Sequence, residues 1–281
     1  MLLSRGVERF LEARTIDGYS PNTIKAYALQ GRLLVDFLGD LDLEAVTTDA
    51  LRQYLGTLTH LKPASLGHRI RFLHALWHWL QDEEYTERNP AHRIHEPKAG
   101  DRIPKALSVD QIEDLRDACE TFREHALLEL FFATGCRLSE VAGMDRDRLQ
   151  WDRRAIRVIG KGNKEREVYW GAKADRYLRK YLASRTDDDP AVFVTERQPF
   201  RRMHSKSIYH AIKRVAHRAG MDDTVWPHVL RHTLATTLLN NGADLTVIQS
   251  YLGHTKPSTT LLYAALSGTR RKIEYDRYFT Q

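Results

Sequence analysis

Residues 96–104, Glu-Pro-Lys-Ala-Gly-Asp-Arg-Ile-Pro, set two prolines and a glycine amid mixed charge, a composition that breaks helices and strands alike. The stretch reads as a linker. It divides the 281-residue chain into residues 1–95 and 105–281, each within reach of the roughly 100–200 residues that a domain commonly holds. The first part reads as helices. Val7, Phe10 and Leu11 give a short apolar face, and Ser20-Pro21 supplies an N-cap with proline at the first helical position. Ile24, Tyr27, Ala28, Leu34, Phe37 and Leu38 then keep helical spacing until Gly39. Thr47 or Thr48 opens a third helix through Leu58, and a fourth begins near Ala64 with Leu66, Ile70, Leu73, Leu76, Trp77 and Leu80.

The second part mixes signals. Ser108 with Gln111 forms a capping box for a helix over 109–120. Ala126 to Ala133 is an apolar run, interrupted by Glu129, that stops at Thr134-Gly135 as a buried helix would. Leu149 to Trp151, Ala155 to Ile159 and Glu167 to Trp170 read as three short strands, turning at Asp152-Arg153-Arg154 and at Gly160-Lys161-Gly162-Asn163-Lys164. Residues 173–183 and 205–219 read as helices, the second with Lys206, Lys213, Arg214 and Arg218 available for phosphates, and another ends at Gly253 after a turn at Asn241-Gly242.

Hydrophobic content of 42% and charged content of 28% fit a globular chain. Met1-Leu2-Leu3-Ser4-Arg5 meets charge too early for a secretory signal, and no run of about 18 apolar residues spans a membrane. Cys119 and Cys136 make neither a disulfide framework nor a four-ligand metal site, so the expectation is a cytoplasmic protein. The net charge of +6 favours a polyanionic partner. Residues 1–104 hold 13 of the 43 Lys and Arg and 14 of the 37 Asp and Glu, leaving 30 basic against 23 acidic residues beyond. The basic excess therefore lies in the second part. In the first, His68, Arg69, Arg71, His74 and His78 on the fourth helix read either as a solvated face or as a surface for phosphates.

Chemistry concentrates between Trp226 and Tyr263. The run Trp226-Pro227-His228-Val229-Leu230-Arg231-His232-Thr233 is followed by Leu252-Gly253-His254, and Tyr263 stands nine residues after that histidine. Arginine forks match phosphate oxygens, having fixed donors for two at once. A phenol with a free pKa of about 10 needs neighbours to take its proton before it can attack. The set suggests covalent attack by Tyr263 on a phosphodiester. His228 and His232, one turn apart, would also suit zinc, but the metalloprotease pattern needs Glu after the first His and this chain has Val229. Taken singly, Tyr263 is a packing residue of an apolar helix and His254 the follower of a helix cap. Arg137, fixed after Thr134-Gly135-Cys136 at the end of a core helix, is a charge that needs a partner, and Glu140 stands three residues on.

His-x-x-Arg-His, Leu-Gly-His and the tyrosine after it resemble the C-terminal boxes of the tyrosine recombinases, the family of phage-type integrases, Cre and Xer-type recombinases. Thr134-Gly135-Cys136-Arg137-Leu138-Ser139-Glu140 resembles their first arginine box, and Asn89-Pro90-Ala91 fits the end of their N-terminal domain. The resemblance implies a mainly α, two-domain fold: a helical, SAM-like core-binding domain over 1–95, a linker at 96–104, and a mainly helical catalytic domain over 105–281 with a small antiparallel three-stranded sheet. It implies that Tyr263 forms a 3′-phosphotyrosyl bond, that Arg137 and Arg231 bind the phosphate, and that Glu140 supports Arg137. Lys161 on the hairpin would be the general acid, with Lys164 its rival in the same turn. His228 would exchange a proton with Tyr263, and His254 would hydrogen-bond the phosphate. No metal, ATP or other cofactor is implied. The implied partner is double-stranded DNA with inverted-repeat half-sites, engaged by a homotetramer on paired sites, with or without a second recombinase beside it, in dimer resolution, integration or excision. The tail 268–281, with Ile273, Tyr275, Tyr278 and Phe279, would dock into a neighbouring subunit or else onto its own domain. A type IB topoisomerase would use the same residues to relax DNA, and a non-catalytic DNA-binding protein would keep the fold while losing one of them.

Overall fold

The computed structural model describes residues 1–97, 106–160, 164–222 and 224–253. The chain divides into two compact units, Met1–Arg102 and Ile103–Gln281. The division falls within the expected linker, whose residues from 98 onward lie outside the described ones.

Among its described residues the first unit has four α-helices, α1 (Leu3–Ile16), α2 (Pro21–Leu38), α3 (Thr48–Gly56) and α4 (Pro63–Asp82), with a 3-10 turn at Leu43–Ala45. Local chemistry starts two of them. Ser20 accepts from the Thr23 amide at 3.2 Å ahead of Pro21, and Thr47 accepts from the Ala50 amide at 3.1 Å. α1 is longer than its three apolar residues suggest, because Leu3 joins Val7 and Phe10 on one buried face. That face meets Leu34 of α2 and Phe72, Leu76, Trp77 and Leu80 of α4, and Phe10, Phe72 and Trp79 pack edge to face or tilted.

The second unit is built around α6 (Phe122–Thr134), which packs against α8 (Ala172–Ala183), α9 (Ser205–Arg218) and α10 (Pro227–Asn240). α5 (Val109–Asp117) precedes it with the expected capping box at Ser108 and Gln111. Ala126, Leu127, Leu128, Leu130 and Phe131 of α6 are buried in the core. Glu129 interrupts this run without cost in unpaired charge, because Arg116 of α5 donates to both its oxygens at 2.5 and 3.1 Å. Glu124, also buried, receives Arg218 of α9 at 2.5 Å. α6 ends where glycine lets it: Gly135 adopts φ +57°. The short α7 (Leu138–Ala142) follows at once, and α11 (Leu245–Leu252) comes after α10 and ends at Gly253 with φ +66°.

Among the described residues the sheet has two strands, not the expected three. β1 (Ala155–Ile159) pairs antiparallel with β2 (Glu165–Tyr169), Ala155 opposite Tyr169 and Ile159 opposite Glu165. The stretch 149–151 is not a strand. A 3-10 turn at Arg146–Arg148 leads into Leu149, and the next turn brings the chain back so tightly that Gln150 and Ala155 alone exchange hydrogen bonds, at 2.9 and 3.1 Å. Leu149 still reaches the core, so its apolar side chain imitates a strand position without strand pairing.

A methyl group at Gly135 would lie 2.8 Å from Leu252 Cδ2 and 2.9 Å from Leu234 Cδ2, in a backbone conformation that disfavours L residues. Gly135→Ala is therefore expected to cost about 1–3 kcal/mol. The check is a lower urea midpoint with an unchanged m-value.

Candidate active site

Three chain segments converge on one place: the residues after α6, the first two turns of α10, and the end of α11. Arg231, on the buried face of α10, is 2% exposed. Its Nη1 donates to the Gly135 carbonyl and its Nη2 to the Leu252 carbonyl, both at 2.6 Å. These carbonyls close α6 and α11, where the last turn lacks intrahelical donors and the helix dipole is negative. A buried guanidinium is stable there because fixed acceptors replace its water.

Arg137 sits at the N-cap of α7 with its side chain about one-third (33%) exposed. Its Nη2 donates to the Gly253 carbonyl at 3.0 Å, and its Nη1 to Glu140 Oε1 at 2.9 Å. Glu140 is almost fully enclosed and also caps the helix by accepting from the Arg137 amide at 2.6 Å. Arg166 of β2 donates to the same carboxylate with both arms, at 2.7 and 2.8 Å. Burial alone would raise the Glu140 pKa, but the bonds from Arg166 and from the Arg137 amide prevail and hold it at about 2. The Cys136 thiol beside them is pushed up to about 11 by burial, so it stays protonated and is no nucleophile.

Arg137, Arg231, Tyr209, Trp226 and His228 line a pocket of about 230 Å³. His228 keeps contact with solvent. Surrounding chain first, then the charges of Arg231 and Arg137, lower its pKa, so the ring is neutral at neutral pH and ready to accept a proton. His232, one turn along, is buried within the helix packing. Among the described residues no cluster of three or more His, Cys, Asp or Glu is arranged to hold a metal.

Of the expected site residues, Arg137, Glu140, His228 and Arg231 come together here. Lys161, His254 and Tyr263 lie outside the described residues. The flanks of two are visible: the Gly160 amide donates to the Lys164 carbonyl at 2.8 Å at the base of the hairpin loop, and Gly253 precedes His254. Tyr251 has the wrong surroundings for a nucleophile. Its hydroxyl lies 3.1 Å from the Ala133 carbonyl and 3.0 Å from that of Tyr169, and burial raises its pKa to about 12. Its task is to tie α11 to α6 and β2.

Arg166 is the residue that sequence reasoning missed. Period-two alternation puts it on the face of β2 that buries Val168, and a charge on a buried face was the available signal. Several cations read as phosphate contacts are engaged within the protein. Arg71 meets Glu96, the His74 ring meets the Ile94 carbonyl at 2.8 Å, Lys213 meets the Asp222 carbonyl, and Arg218 holds Glu124. Lys206 is exposed.

Residues 105–270 match the model of the phage integrase family, and residues 7–84 that of the phage integrase N-terminal SAM-like domain. Tyrosine recombinase XerD of Haemophilus influenzae is 34% identical over 289 residues, covering 97% of each chain. Tyrosine recombinase XerC of Corynebacterium glutamicum is 36% identical over 264 residues, covering 90% of this chain and 84% of that one. Among solved structures, that of a lambda integrase dimer bound to a COC′ core site aligns with a TM-score of 0.78 at 18% identity, over 92% of this chain and 97% of that chain. That likeness extends the match from sequence to fold.

The Glu140 shift has a measurable consequence. Its carboxylate titrates near 4.5 when unfolded and about 2 in the fold, so the folded state favours the ionised form. The stability it contributes is complete above about pH 4.5 and is lost as pH falls toward 2, on the order of 3 kcal/mol in all. Glu140→Gln should be less stable at pH 7 and show a shallower acid loss, read from urea unfolding of the whole chain at successive pH values.

Proposed function

We propose, on the premise that the chain belongs to the phage integrase family and is a tyrosine recombinase, that it cuts and rejoins duplex DNA through a phosphotyrosyl bond at Tyr263. The observation that carries this reading is the pair Arg137 and Arg231, which face one pocket with their guanidiniums fixed by carbonyls at two helix ends. Such a pair suits the two non-bridging oxygens of a phosphodiester. It also stabilises the charge that develops on them as phosphorus becomes five-coordinate.

In this mechanism the Tyr263 oxygen attacks phosphorus and its proton passes to neutral His228. The bond from phosphorus to the 5′ oxygen breaks, and Lys161 protonates that oxygen. His254 donates a hydrogen bond to the phosphate. A 5′ hydroxyl from the partner strand then reverses these steps with new connectivity, so the phosphotyrosine conserves the bond energy and no ATP is consumed. The positive charge comes from the protein's own side chains, and no metal is needed.

Duplex DNA as partner is supported by the net charge of +6 and by the structural neighbour, which is bound to its core site. Inverted-repeat half-sites and a homotetramer on paired sites fit a reaction that exchanges strands between two duplexes. Residues 1–95 would then act as the core-binding domain, and the tail 268–281 would reach a neighbouring subunit with Ile273, Tyr275, Tyr278 and Phe279. A cytoplasmic location suits work on such DNA.

The test uses a nicked duplex built on the sequence that the wild-type chain selects from randomised DNA. Tyr263→Phe is expected to bind it as wild type does and to form no covalent adduct; an adduct surviving on Tyr251 would overturn the choice of nucleophile. Wild-type cleavage should continue in excess EDTA. Lys161→Ala should slow cleavage by about 10²–10⁴-fold, and a 5′-bridging phosphorothioate should largely restore it, because a thiolate leaves without a proton. Rescue confined to Lys164→Ala would transfer the acid's role to Lys164.

A further inference from the structure

We propose that Arg166 is a positioning residue of this site, setting Arg137 through Glu140 and the end of α11 through the Tyr251 carbonyl. The proposal rests on the reading of Arg137 as a phosphate-binding residue.

Every nitrogen of the Arg166 guanidinium is engaged. Nη1 and Nη2 grip the two oxygens of Glu140 at 2.7 and 2.8 Å, and Nε donates to the Tyr251 carbonyl at 3.0 Å. Its side chain is 11% exposed against 33% for Arg137. Arg166 therefore points inward, into the supports of the site, while Arg137 keeps an open side toward the pocket.

Charge explains why a second arginine is useful. Were Glu140 paired with Arg137 alone, the carboxylate would neutralise the guanidinium meant for a phosphate. Bidentate pairing with Arg166 satisfies Glu140 first, since the fork geometry matches both oxygens. Arg137 is then oriented by the shared carboxylate while the cluster of two arginines and one glutamate stays positive by one charge.

The Nε bond extends the effect to the other arginine. Tyr251 precedes Leu252 and Gly253, whose carbonyls receive Arg231 and Arg137. Gly253 is also in contact with Arg166, since a Cβ there would lie 3.1 Å from Arg166 Cδ. Arg166 also stands at the foot of the hairpin whose loop contains Lys161. One side chain thus joins β2, α7 and the end of α11, where the carbonyls of Leu252 and Gly253 receive Arg231 of α10 and Arg137.

The test is a double-mutant cycle on the full chain, with the same nicked duplex, measuring cleavage at saturating DNA, half-saturation and thermal unfolding. Arg166→Gln should slow cleavage about 10²-fold, the scale of a small misplacement of reacting groups, and leave half-saturation unchanged. Arg166→Lys, which keeps the charge and loses the fork, should recover part of the rate. The Glu140→Gln, Arg166→Gln double variant should cleave no more slowly than Glu140→Gln alone, because one acts through the other. If Arg166→Gln proves unfolded, Arg166→Lys carries the test: slower cleavage at unchanged half-saturation supports the proposal and a wild-type rate overturns it. Losses that multiply in the double variant overturn it too. If Arg137→Ala and Glu140→Gln cleave normally, the phosphate-binding reading itself falls. If they are impaired while Arg166→Gln and Arg166→Lys are not, the role of Arg166 alone falls.

Discussion

Two guanidiniums brought to one half-buried pocket repel each other and lose water, so the fold must surround them with acceptors before it can hold them. Arg231 receives two carbonyls at helix ends, and Arg137 receives a carbonyl and a shared carboxylate. Much of the second unit serves that requirement. α6 must stop at Gly135 and α11 at Gly253 for their last carbonyls to face inward, and both glycines adopt the left-handed conformation that allows it. The hydroxyl of Tyr251 then fixes α11 against α6 and β2.

The same logic governs the interior away from the site. α6 is largely buried, yet carries Glu124 and Glu129, and each meets an arginine from a neighbouring helix, Arg218 of α9 or Arg116 of α5. Removing one partner would leave a buried charge alone, which costs far more than the pair gains. Such pairs specify which helices lie beside α6, in a core whose leucines would fit several arrangements.

Features set by short-range chemistry were legible in the sequence. The Ser20 and Thr47 caps, the capping box at Ser108 and Gln111, and the stops at Gly135 and Gly253 each depend on residues a few places apart. Arg137 and Glu140 were legible for the same reason, being three residues apart within a motif. Two features were not. Leu149 and Trp151 carry the side chains of a strand, but the turn after them returns too soon for pairing to extend. Arg166 takes its meaning from Glu140, 26 residues away, and from the Tyr251 carbonyl, 85 away. Period-two alternation could mark it as a charge on a buried face but could not say what it holds. The polar stripe of α4 shows the converse, since Arg71 and His74 are engaged by Glu96 and Ile94 within their own unit.

Two of the acceptors that seat Arg231 are backbone carbonyls, and this bears on how such a site is inherited. The Gly135 and Leu252 carbonyls exist whatever side chains stand nearby, so substitution around the seat leaves its acceptors in place. What the seat depends on is length. One residue more or fewer in α6 or α11 would rotate the terminal carbonyl by about 100° around the helix axis, at 3.6 residues per turn, and aim it away from the guanidinium. Lineages carrying this site should therefore tolerate side-chain replacement along both helices outside the buried ion pairs and the closing glycines, while purging insertions and deletions within them.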